Sequence, residues 1–340
     1  MHMAVYLPLF LPLLAAAAAR PLAERLPPAA ATWLLTLSAV ALALASSAVL
    51  GLLALTALLR VPLVDSLGDL SISAIRQDDP ASVPVAIIAG ALLVAAATAA
   101  SRAVWHRACA LIAAGRQARR LPGSDQVVVT EDEAADAYTL PGLPCRIVVT
   151  AGMLRALSNP ERQVLLAHEQ AHASGLHYLF TTAARLAAAA NPLLRPLAAA
   201  VSYTVERWAD ERAAYVTGDR PLAARALAHA ALAASAAPAR RAGLATMLGA
   251  VTSRLGGRER EPGAHRQDGS GAHSGSTRGK SMRNAGPVPR RMAALLRPPP
   301  RPQLLLVAAA VLLVAVAGAS AVEAARDLHS LLEHAQSVRV

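Results

Sequence analysis

The chain has 340 residues, 55% of them apolar and only 3% aromatic, with a formal net charge of +11. Arginine supplies nearly all of the positive charge, Lys280 being the only lysine. That apolar fraction argues against an ordinary soluble domain and for a membrane protein of one or two domains, mainly α-helical.

The first uncharged run extends from Ala4 to Ala19 and ends at Arg20. It is short for a span, which usually needs about 20 residues. No Lys or Arg precedes it, so the basic n-region of a signal peptide is missing and a first transmembrane helix is expected over 4–19. Longer uncharged runs follow at 30–59 and 83–100, and a fourth at 304–322 behind the prolines at 298–300 and 302. Four transmembrane helices are therefore expected.

Loop charges orient them. Asp65, Asp69, Asp78 and Asp79 outnumber Arg76 between the second and third runs. Arg102, Arg107, Arg116, Arg119 and Arg120 follow the third with no acid among them. The third helix is thus expected to end in the cytoplasm. Both termini, including a short tail over 323–340, then fall outside, and a cytoplasmic domain over 103–255 lies between spans three and four.

Within that domain, Gln126–Thr130, Tyr138–Leu140 and Arg146–Thr150 read as short strands, punctuated by Pro141-Gly142 and Pro144. An α+β domain with a small sheet follows, whose edge offers either a plain hairpin or a place for an extended peptide. Ser158 and Glu161 fit a capping box, and Gly175 supplies a stop. The helix between them carries His168-Glu169-Gln170-Ala171-His172.

Histidines four apart share a helix face, so both imidazoles can reach one ion, and Glu169 beside them can take a proton from a water. A catalytic zinc needs a third protein ligand and an open position. Glu206, 34 residues after His172, can close the set, with Asp210 one turn on to bind the far nitrogen of a ligating histidine. His177, Tyr178 and His229 are candidates for stabilising an oxyanion.

The alanine-rich stretch 180–200 is interrupted by Arg185, Arg195 and Asn191-Pro192, and a crossing there would part Glu206 from His168. It reads as a packed or membrane-surface helix. Cys109 and Cys145 are too few for a zinc cluster, and a cytoplasmic placement leaves them as thiols. Residues 256–302 are rich in Gly, Ser, Pro and Arg and carry ten basic residues. They read as a disordered linker held near anionic lipid. Lacking interleaved aromatics, that linker is not expected to bind nucleic acid directly.

The run from Arg146 through HEQAH to Glu206-Arg207-Trp208-Ala209-Asp210 resembles the gluzincin membrane peptidases. Its similarity is to the BlaR/MecR antirepressor branch first and to the neighbouring Ste24/HtpX branch next. By motif the resemblance covers about residues 120–235, and elsewhere the membrane layout alone. It implies a zinc-dependent endopeptidase with a zincin-like domain. The BlaR/MecR branch implies a protein substrate of the winged-helix repressor class, and the Ste24/HtpX branch quality control of membrane proteins. A non-catalytic receptor with a relic site is the remaining reading. Only about twenty residues follow the fourth span, so the penicillin-binding sensor domain of the antirepressor receptors is not expected here. Self-cleavage, where it occurs, is expected in 256–302.

Overall fold

The computed structural model describes residues 6–58, 83–236, 286–298 and 303–337. Helices α1 (Leu7–Arg25), α2 (Pro28–Leu58) and α3 (Val83–Arg120) come first. The strands β1 (Val127–Thr130), β2 (Ala137–Leu140) and β3 (Arg146–Thr150) follow, then α4 (Ala151–Ala156), α5 (Asn159–Ser174) and α6 (His177–Ala190). A 3-10 turn at Pro192–Leu194 leads to α7 (Arg195–Thr217) and α8 (Arg220–Ala236), and the chain closes with α9 (Pro287–Leu295) and α10 (Leu304–Ser337). It divides into two compact units.

The first unit comprises Met1–Arg107, Phe180–Val201 and Pro302–Val340. The helices α1, α2, α3 and α10 are each long and apolar enough to cross a membrane. Their outward residues fit lipid rather than water. Ile87, Ile88 and Val94 on α3 and Leu304, Leu305 and Leu312 on α10 are all exposed, a density of bare aliphatic side chains that soluble surfaces rarely carry.

Three boundaries differ from the sequence expectation. Helix α1 continues past Ala19 to Arg25 because Arg20 and Glu24, one turn apart, pair at 3.0 Å and keep the polar turn helical. The basic collar after residue 100 is no separate segment but the continuation of α3 to Arg120. The expected tail after residue 322 begins as the continuation of α10, which runs to Ser337.

The alanine-rich stretch forms the end of α6, the 3-10 turn and the start of α7. The break is where Asn191-Pro192 put it. Asn191 accepts from the Leu193 amide at 3.1 Å, and its own amide donates to the Ser46 hydroxyl at 3.1 Å.

The second unit comprises Ala108–Leu179 and Ser202–Arg301. Its three-stranded sheet has the order β1-β3-β2, with β1 parallel and β2 antiparallel to β3. Central β3 is buried at all five residues, as a strand covered on both faces must be. On one side Ala114 and Ala118 of α3 pack on Val148 and Leu140. On the other, Ile147 and Val149 meet Met153, Leu157 and the α5 residues Leu165 and Leu166. Helix α5 thus lies against the sheet, and β2, an edge strand, runs beside it.

One expectation is overturned here. Residues 287–295 belong to the stretch read as a disordered linker, yet they form a helix packed on α8. Its order comes from a stripe at helical spacing, Val288, Arg291, Met292 and Leu295, with Arg291 and Leu295 buried. Leu295 enters a core shared with Val164, Ala213, Ala214, Ala223 and Ala224. Arg220 holds the far end, donating to the carbonyls of Leu295 and Ala294 at 3.0 and 3.3 Å while pairing with Glu211. The rest of the expected linker, residues 256–285 and 299–302, lies outside the described residues.

Candidate metal centre

Helix α5 begins where its capping box puts it. Glu161 accepts from the Ser158 amide at 3.0 Å and from its hydroxyl at 2.8 Å. The helix ends at Ser174. Val164 and Ala171 bury one side of it, and His168 and His172 stand one turn apart beside that side.

Helix α7 approaches on a row of small buried residues. Val205, Ala209 and Ala213 recur every four positions at 2% exposure or less. Alanines there let the backbone come close, and Glu206 and Asp210, next to that row, meet the histidines.

The two Nε2 atoms of His168 and His172 lie 3.1 Å apart. Each is 3.7 Å from a carboxylate oxygen of Glu206, Oε2 for His168 and Oε1 for His172. One donor atom from each of the three lies within 4.8 Å of the others. Tetrahedral zinc, with bonds of about 2.0–2.1 Å, holds its ligands roughly 3.3–3.4 Å apart, so the set fits that ion with little movement. Two imidazoles and one carboxylate are also a donor set that zinc takes.

Asp210 sits behind His168, its Oδ1 3.1 Å from Nδ1. This fixes which nitrogen faces the cluster. Burial would keep the His168 ring neutral, but the Asp210 hydrogen bond and the charges of Asp210 and Glu206 outweigh it and raise its pKa. For His172 burial wins, aided by positive charge at His168 and Arg291, and its pKa falls well below the ordinary value. A neutral imidazole is the form that donates to a metal.

Glu169 points to the sheet side of α5. It is buried, and burial raises its pKa. Thr139 on β2 holds it: the threonine hydroxyl lies 2.9 Å from Glu169 Oε2 and 3.1 Å from its carbonyl oxygen. A carboxylate with a raised pKa beside a metal site is suited to receive a proton and pass it on.

Sequence reasoning missed Arg291. Its guanidinium is buried against Asp210 and reaches Glu206 Oε2 at 3.0 Å. Burial would lower its pKa, but the two carboxylates more than reverse that. Asp210 is likewise held below the usual carboxylate range, the Arg291 charge overcoming burial. The only sequence signal was the stripe at 288, 291, 292 and 295.

The oxyanion candidates fall differently. His229 is committed to Glu161, Nδ1 to Oε1 at 2.7 Å, two turns before His168 on α5. His177 is buried behind His172, away from the face that the ligand atoms present. Tyr178 is partly buried on α6. Cys109 and Cys145 are free thiols, and burial raises the pKa of Cys145.

Residues 98–191 match the model of Peptidase family M48. That stretch contains the sheet, α4 and the whole of α5 with its HEQAH, and it supports a zincin-type peptidase for this part of the chain. No curated protein and no solved structure matches the chain.

Proposed function

We propose that this chain is a multi-pass membrane zinc endopeptidase that cleaves a protein on the cytoplasmic side. The observation that carries the reading is the convergence of His168 Nε2, His172 Nε2 and Glu206 on one point, with Glu169 next to them in the chain. A relic site has no need of all four groups together with Asp210 behind them.

Zinc held by His168, His172 and Glu206 would supply a Lewis acid and lower the pKa of a bound water. The remaining work falls to side chains of the chain itself. Glu169, its carboxylate oriented by Thr139, accepts the water's proton and returns it to the leaving amine. Asp210 keeps the His168 proton on Nδ1, so Nε2 is free to donate. Among the described residues β2 is an edge strand, and that edge, beside α5, suits an extended peptide added as a strand.

The basic residues that close α3 favour a cytoplasmic site. The motif resemblance to the antirepressor branch, which the match to Peptidase family M48 does not single out, is the ground for reading a winged-helix repressor rather than a damaged membrane protein as the substrate. Comparative proteomics of cells carrying the wild-type chain or Glu169→Gln separates these. A cytoplasmic protein cut only by the wild type supports the reading. Accumulating membrane-protein fragments favour quality control, and no difference between the two proteomes overturns both.

A further inference from the structure

His172 makes a demand that the ligand set leaves unanswered. A neutral imidazole that offers Nε2 to a metal carries its proton on Nδ1, and a buried N–H needs an acceptor. For His168 that acceptor is Asp210. For His172 it is a third histidine, since His177 Nδ1 lies 3.0 Å from His172 Nδ1. One proton fits between two ring nitrogens. If His172 donates it, His177 Nδ1 is bare and the proton of His177 sits on Nε2.

Local structure is arranged to put His177 there. The ring is 2% exposed, edge-on to His172 with centroids 4.9 Å apart and tilted against Trp208 at 4.7 Å. The turn that delivers it is unusual. Leu176 has φ +48°, the left-handed region that a bulky residue rarely enters. Gly175 does not use its freedom in φ; it provides space. A Cβ on it would come within 2.6 Å of His177 Nε2 and 2.7 Å of Cδ2.

We propose, resting on the zinc reading above, that His177 is a positioning residue: an acceptor that fixes the tautomer and ring angle of His172. The outer contacts of the metal centre are then unlike, a carboxylate behind one ligand histidine and an imidazole behind the other. Charge explains the difference. Glu206, Asp210 and Glu169 bring three negative charges, which a divalent ion and Arg291 balance. A second outer carboxylate would leave the buried site one charge in excess.

The test compares His177→Asn with His177→Leu in the full chain in detergent. Asparagine sets its amide oxygen near the position of Nδ1, whereas leucine fills the space and accepts nothing. Zinc affinity, read by chelator competition, is expected to stay within a few-fold of wild type in His177→Asn. In His177→Leu it is expected to fall by roughly 10–100-fold. The visible spectrum of the cobalt(II)-loaded protein should move in His177→Leu and not in His177→Asn. Gly175→Ala, which pushes the ring aside, should weaken zinc as leucine does and serves if His177→Leu fails to fold. Equal affinity of wild type and His177→Leu, or equal losses in Asn and Leu, overturns the inference alone. A wild-type chain that binds no zinc removes the metal reading and this inference with it.

Discussion

Arg291 grips Asp210 with two nitrogens, Nε to Oδ2 and Nη2 to Oδ1, each at 2.7 Å. The two residues are 81 positions apart, and the contact ties α9 to the carboxylate behind His168 in the candidate metal-binding cluster. Removing one partner of such a buried pair leaves an uncompensated charge and typically costs about 3–5 kcal/mol. Arg291→Met should therefore lower the unfolding midpoint of the chelator-treated chain sharply, and added zinc should recover part of the loss. Arg291→Lys should recover less than full stability, because an ammonium cannot make the forked contact. Thermal unfolding in detergent with and without zinc decides it. An unchanged midpoint in Arg291→Met would mean the pair contributes nothing.

Thr139→Val tests the orientation of Glu169. The hydroxyl stabilises the charged carboxylate, so its loss should raise the Glu169 pKa further and move the acid limb of the rate profile to higher pH. Turnover at neutral pH should fall by about tenfold, near the energy of one hydrogen bond to a charged group. Zinc content should not change. A rate profile identical to wild type would detach Thr139 from the proton transfer.

Glu161 gives a stability prediction with a definite sign. Burial pushes its pKa up, but the Ser158 bonds and His229 more than offset this and leave it lowered. A carboxyl lowered in the folded state stabilises above its unfolded pKa, and that contribution is lost as pH falls through the folded value. The unfolding midpoint should therefore drop on acidification below about pH 4, and Glu161→Gln should be less stable than wild type at neutral pH while losing less on acidification. Parallel midpoint curves for the two chains would contradict this.

Topology is tested by a reporter fused at Ser270, between α8 and α9 in the sequence. The arginines after residue 100 predict activity of a cytoplasmic reporter and silence of an exported one. The opposite pattern would move the site outside and end the repressor reading.

What the sequence made legible was what local chemistry encodes. Uninterrupted apolar runs gave the four long helices, Ser158 and Glu161 gave the start of α5, and the four-residue steps of HEQAH and Glu206–Asp210 gave the cluster. Its failures were long-range. Arg291 stands in an arginine-rich stretch where composition predicts disorder, and only the packing of Leu295 and the charge of Asp210 make nine residues of it a helix. The place of His177 depends on the left-handed Leu176, a conformation that no residue preference announces. Nothing in the sequence shows that α8 would bring His229, one of three oxyanion candidates, to Glu161.

The central claim is that His168, His172 and Glu206 hold a zinc ion while Glu169 only moves protons. Zinc content and cleavage rate, measured side by side on purified full-length variants, test it most directly. The account predicts one zinc per wild-type chain, little or none in Glu206→Gln, and an intermediate affinity in Asp210→Asn, where losing an outer partner costs roughly 10–100-fold. It predicts that Glu169→Gln keeps its zinc and loses cleavage by about 10²–10⁴-fold. Full zinc in Glu206→Gln, or wild-type cleavage by Glu169→Gln, would contradict it.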